Sequence, residues 1–175
     1  MADDKKEPWL NWLALTTVML ALFATLSTFK GGGYSTRAVL SQTQASDQWA
    51  FYQSKSIKGY LYEIQRDRLA VELKHGIAAA DPKAAADYTK QMEDYSAKIA
   101  KYEKEKAEIS QTAKKLEENR DEAQAHSKTF GMAVIYLQLA ILLSSIAALL
   151  KKKPVWLAGL ALGVVGAGYF ISGFM

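Results

Sequence analysis

The sequence predicts an all-α membrane protein: three transmembrane helices and a long extramembrane antiparallel helical (coiled-coil) hairpin. Three observations predict it. Residues 9–29, 131–150 and 154–175 are apolar blocks without Asp, Glu, Lys, Arg or His. Each is long enough to cross a hydrocarbon core of about 30 Å as a helix. The intervening residues 30–130 carry 17 Lys/Arg against 15 Asp/Glu, a net 17 − 15 = +2, which suits solvated helices with intrahelical ion pairs. Inside that segment, apolar residues recur in steps of four and three, the coiled-coil spacing. Half of the 175 residues are apolar, yet mean hydropathy is −0.09; the apolar and polar residues are therefore segregated along the chain.

The first element follows a short tail, residues 1–8. Block one, WLNWLALTTVMLALFATLSTF, opens with Trp9 and Trp12, placing indoles where headgroups would lie. It is too long for a cleaved signal peptide and no A-x-A-like site follows, so it reads as an uncleaved signal anchor. Gly31, Gly32 and Gly33 come next and predict a break and hinge.

The hairpin is expected to place one helix at about 35–77, a turn at about 78–82 and a second helix at about 83–130. The turn rests on AAADPKAAA, where Asp81 caps a helix and Pro82 enters its first turn. The second helix has the clearer seam. Tyr88, Met92, Tyr95, Ile99, Tyr102, Lys106, Ile109, Ala113, Leu116, Arg120 and Ala123 follow the heptad over about five repeats. On the first helix the expected seam is Trp49, Tyr52, Ile57, Tyr60, Ile64 and Val71, with Ala45. Leu61, Leu69 and Leu73 widen that apolar surface and point to a third helix, from a homo-oligomer or a partner protein. Pairing is expected between positions whose numbers sum to about 160. Trp49 would then meet Ile109 and Ala113, Tyr60 would meet Ile99 or Tyr102, and Ile64 would meet Tyr95. Lys55 and Lys58 would lie on a different side from Tyr52 and Tyr60, able to pair with Glu103, Glu105 or Asp47 or to face water.

Blocks two and three are separated only by Lys151, Lys152 and Lys153, a basic turn, before Pro154. This predicts a tight transmembrane hairpin. Gln138, Ser144 and Ser145 are polar groups that a neighbouring helix would satisfy. Gly159 and Gly163, four apart, with Gly166 and Gly168 beyond, allow close helix approach. By the positive-inside bias the N-terminus and the three lysines are cytoplasmic and the hairpin lies outside, although Lys30, Arg37, Arg120 and Lys128 flank the opposite side.

The stretch DQWAFYQSKSIK, Asp47 to Lys58, is the most specific part of a wider resemblance. With the tryptophan-led first block, the YEKEKAEI and AKKLEENRDEA stretches and the two final apolar blocks, the chain resembles the bacterial family of domain of unknown function 4337. The resemblance covers nearly the whole chain. It implies three membrane helices around a helical hairpin in the bacterial inner (cytoplasmic) membrane. It implies no known activity.

Chemistry is sparse. There is no cysteine, so disulfides, thiolate metal sites and Cys nucleophiles are excluded. His75 and His126 would lie far apart in an antiparallel hairpin, each a solvated helix residue, so no metal site is expected. The carboxylates lie along helices and lack the cleft that acid–base catalysis needs. No nucleophile elbow, phosphate loop or dinucleotide fingerprint occurs. Membrane blocks without charge argue against an ion-coupled pump, and a net charge of +4 is too dispersed for nucleic acid. No catalytic residue and no cofactor are expected. The packing and interaction candidates are Trp49, Tyr52, Tyr60, Tyr95, Tyr102, Gly159 and Gly163. The function these features predict is non-enzymatic: a self-assembling structural or scaffolding protein in the lipid bilayer, acting through its hairpin. The alternatives are an accessory subunit of a larger membrane complex and an oligomeric channel or transport component.

Overall fold

A computed structural model describes residues 8–76 and 81–175. They form three helices, α1 Pro8–His75, α2 Pro82–Leu150 and α3 Lys153–Ser172, with no strand among the described residues. Each contains a stretch long and apolar enough to cross a membrane. The chain divides into two compact units. One combines the described residues up to Leu40 with Asn119–Met175; the other is Ser41–Glu118.

The expected break at Gly31, Gly32 and Gly33 is corrected: α1 runs unbroken through all three. None has positive φ, and Gly31 lies close against α2. A Cβ there would sit 3.0 Å from Phe130 Cβ, and Ser127 Oγ donates to the Gly31 carbonyl at 3.1 Å. Glycine weakens a helix in isolation, but tertiary packing overrides that tendency.

In the apolar unit, α2 presents two small-and-large rows toward its neighbours. Ala133, Ala140 and Ala147 recur every seven residues, as do Phe130, Leu137 and Ser144, and all six are essentially buried. Leu20, Ala24, Ala133, Leu137 and Ala140 form one core cluster, closed by Phe23, Ile141, Leu162 and Phe170. A second gathers Trp9, Leu13 and Ala147 under Val155 and Trp156. Trp156 Nε1 donates to Thr16 Oγ1 at 3.2 Å. The outer surface stays apolar: Trp12, Val18, Phe29, Leu149 and Val164 are all more than 60% exposed. Such a surface suits lipid as its solvent.

The connection from α2 to α3 is as short as the sequence implies. Lys151 takes the left-handed conformation, φ 50°, strained for a residue with a Cβ. Proline follows in the first turn of α3.

Within Ser41–Glu118, α1 and α2 pack antiparallel. Most of the expected turn, residues 77–80, lies outside the described residues. Its end behaves as the sequence implies: Asp81 Oδ1 accepts from the Lys83 amide at 2.9 Å, capping α2 at Pro82. The pairing sum is also close. Lys55 meets Glu105, and Tyr62 meets Tyr95 and Tyr102, sums of 160, 157 and 164.

Candidate functional site

The α2 seam matches its expected register. Every residue of it, Tyr88 through Ala123, is buried or half-buried, and Ala113 and Ala123 are fully so. The α1 seam needs correction. Ile57, Tyr60, Ile64 and Val71 are exposed by 57–62%. The helix instead turns Ser41, Ala45, Tyr52, Gly59, Tyr62, Arg66, Leu69 and Leu73 inward. This face also repeats every seven residues; Ala45 and Tyr52 belong to the expected seam, but beyond Tyr52 it continues through Gly59, Tyr62 and Arg66, which apolar counting passed over in favour of Ile57, Tyr60 and Ile64. Bulky tyrosines on α2 leave room for a slim partner: a Cβ on Gly59 would lie 3.9 Å from Tyr102 Cβ.

The aromatic candidates therefore divide. Tyr62, absent from the expected seam, takes the place given to Tyr60. Its ring stacks on Tyr102 at 5.9 Å and tilts against Tyr95 at 5.5 Å. Ile64 points outward and does not meet Tyr95 as its inward partner. Trp49 is half-buried, edge-on to Tyr52 at 5.5 Å. Its indole N–H donates to Glu117 Oε1 at 2.9 Å, about one helical turn beyond the expected Ile109 and Ala113.

Charges reinforce this seam. Lys55 pairs with Glu105 at 2.6 Å and lies over the Tyr102 ring. It thus faces α2, on the same side as Tyr52, contrary to the sequence reading. The pairing raises the Lys55 pKa and lowers that of Glu105, mainly through the bond between them. Lys106 is nearly buried, donates to Glu103 Oε1 at 2.7 Å, and lies near the rings of Tyr52 and Tyr60. Glu103 raises its pKa. Such an ionic layer fixes register more than it adds stability.

Gly159 and Gly163 serve packing within the chain. A Cβ on Gly159 would meet Ala140 O and Leu143 Cβ at 3.1 Å, and one on Gly163 would meet Leu20 Cδ2 at 2.7 Å. Gly166 has the less yielding neighbours, Leu137 Cγ at 2.8 Å and the Leu137 backbone nitrogen at 3.0 Å. Gly168 faces open space. His126 is not the solvated residue expected of it. It is half-buried, stacks on Tyr34 at 4.7 Å and hydrogen-bonds the Gly173 carbonyl through Nδ1 at 2.8 Å.

What remains outward on Ser41–Glu118 is one-sided. Phe51, Ile57, Leu61, Ile64 and Val71 expose more than half their surface on α1, while residues 82–118 expose no large hydrophobic side chain. Ile57, Ile64 and Val71 recur every seven residues, with Leu61 between them. A shallow groove of about 410 Å³, lined by Asp47, Ala50, Phe51 and Ser54, opens on the same helix. Among the described residues no cluster of His, Cys, Asp or Glu has a metal-binding arrangement.

No curated protein and no solved structure matches the chain. The family described as Domain of unknown function (DUF4337) matches residues 9–175. The chain belongs to that family.

Proposed function

We propose that this is a non-enzymatic, multi-pass membrane protein that assembles with copies of itself through the α1 half of its hairpin and so acts as a scaffold. The observation that carries the reading is the exposed α1 stripe, with its heptad spacing and its lack of any counterpart on residues 82–118. A head-to-tail ring would join two different surfaces. With apolar residues on one helix alone, self-association joins α1 to α1 about a two-fold axis. The three apolar helices anchor the assembly in a bacterial inner membrane, with the N-terminus and the three-lysine turn cytoplasmic and the hairpin periplasmic.

Native mass spectrometry of the full chain in lipid nanodiscs tests this. Wild-type protein is expected as a homo-oligomer, and Ile57→Lys/Ile64→Lys as a monomer of unchanged helicity. A wild-type monomer, or an oligomer indifferent to both lysines, would contradict the proposal. A stoichiometric companion from native membranes would favour the accessory-subunit reading instead.

A further inference from the structure

Glycine is the poorest helix former after proline, yet α1 carries three in a row. Gly31 is accounted for by its approach to Phe130. Gly32 and Gly33 are not: a Cβ on either would meet nothing within 4 Å, and neither has positive φ. They leave bare backbone on the outer surface of α1, just past the apolar block. A groove of about 670 Å³ opens there, flanked by Phe29, Lys30, Tyr34, Thr36 and Arg37.

Lys30 and Arg37 are seven residues apart, hence on one side of the helix. Neither forms an ion pair with a described residue, although the Lys30 ammonium lies over the Phe174 ring, 5.6 Å from its centroid; no carboxylate lines the groove. The charge distribution agrees. At this end of the apolar helices, residues 30–40 and 119–130 hold Lys30, Arg37, Arg120 and Lys128 against Asp121 and Glu122, whereas Ser41–Glu118 balances 13 against 13. The flank toward the apolar block is different: Leu22, Leu26 and Phe29 continue the Gly33 face in steps of four, three and four, and all are exposed.

We propose that this groove binds one anionic phospholipid, its headgroup phosphate against Gly33 between Lys30 and Arg37, and an acyl chain along Phe29, Leu26 and Leu22. Small residues let the phosphate approach the backbone, and the two cations supply the counter-charge. A second copy is the poorer occupant, because a two-fold contact here would oppose like cations. The assignment rests on residues 9–29 spanning a bilayer.

The test places the full chain in nanodiscs of phosphatidylcholine with phosphatidylglycerol and measures retained lipid by native mass spectrometry. Wild type is expected to retain phosphatidylglycerol in preference to phosphatidylcholine. Lys30→Gln/Arg37→Gln should weaken that preference about 30-fold, roughly fivefold per cation. Gly33→Leu keeps both charges and fills the groove; it should abolish retention, with helicity unchanged. Retention unaltered by Gly33→Leu would reduce the cations to ordinary interfacial anchors and overturn the site. So would loss only on replacing Lys151, Lys152 and Lys153 by Gln. Displacement by millimolar inorganic phosphate would overturn the lipid in favour of free phosphate. A chain that fails to enter nanodiscs at all would overturn the membrane reading and this site with it.

Discussion

Trp49 and Lys55 show what single side chains contribute to the hairpin. Trp49 combines a hydrogen bond to Glu117 with an edge contact on Tyr52, but it is only half-buried. Trp49→Ala is therefore expected to cost about 2 kcal/mol, less than a fully buried aromatic. Faster hydrogen exchange over residues 41–118 would register the loss; unchanged protection would place the indole outside the packing. For the Lys55–Glu105 pair, the sign follows from both shifts. Glu105 titrates below its usual value, so its contribution is complete above about pH 5 and fades as pH falls through the lowered value. Lys55 titrates above its usual value, so its share is complete below about pH 10 and fades at higher pH. Glu105→Gln should thus make hairpin stability less sensitive to acid, measured by helix melting between pH 3 and pH 7 on the order of the usual carboxylate range. At this scale the α2 tyrosines were legible in the sequence, because large residues at heptad spacing have no other easy home. The choice of Tyr62 over Tyr60 was not. It depends on Gly59 admitting close approach to Tyr102, and glycine leaves no hydrophobic signal.

The same lesson holds for the helices. Three helices long and apolar enough to cross a membrane were readable from apolar length and charge, and the Asp81–Pro82 start of α2 from capping chemistry. The continuity of α1 through three glycines was not, because the force that holds it there is the approach of Phe130 and Ser127, residues far away in sequence. Glycines on α3 give a graded test. Gly166→Ala would press a methyl into the Leu137 backbone and should cost about 1–3 kcal/mol. Gly163→Ala meets only the tip of Leu20 and should cost less. Gly168→Ala meets nothing, and should be neutral or stabilise by up to about 1 kcal/mol through helix propensity. Thermal unfolding in one detergent, compared across the three variants, checks that order; equal losses would show that α3 does not pack through this row.

For the whole molecule, the sequence announced an apolar part and a charged part, and both are present as compact units. It misassigned which face of α1 is covered. Counting apolar residues put Ile57, Ile64 and Val71 inside, whereas their exposure is the basis of the proposed assembly. Of the residues that suggested a third helix, only Leu61 is exposed; Leu69 and Leu73 turn inward, and the outward apolar surface of α1 is formed with Phe51, Ile57, Ile64 and Val71 instead. The native absence of cysteine makes the central claim directly accessible. The decisive measurement is disulfide formation by single-cysteine variants of the full chain in native membranes. Ile64→Cys, on the exposed stripe, is expected to give a covalent dimer on mild oxidation, and Ala97→Cys, exposed on α2, is not. Equal crosslinking at both positions, or none at Ile64→Cys, would contradict self-association through α1.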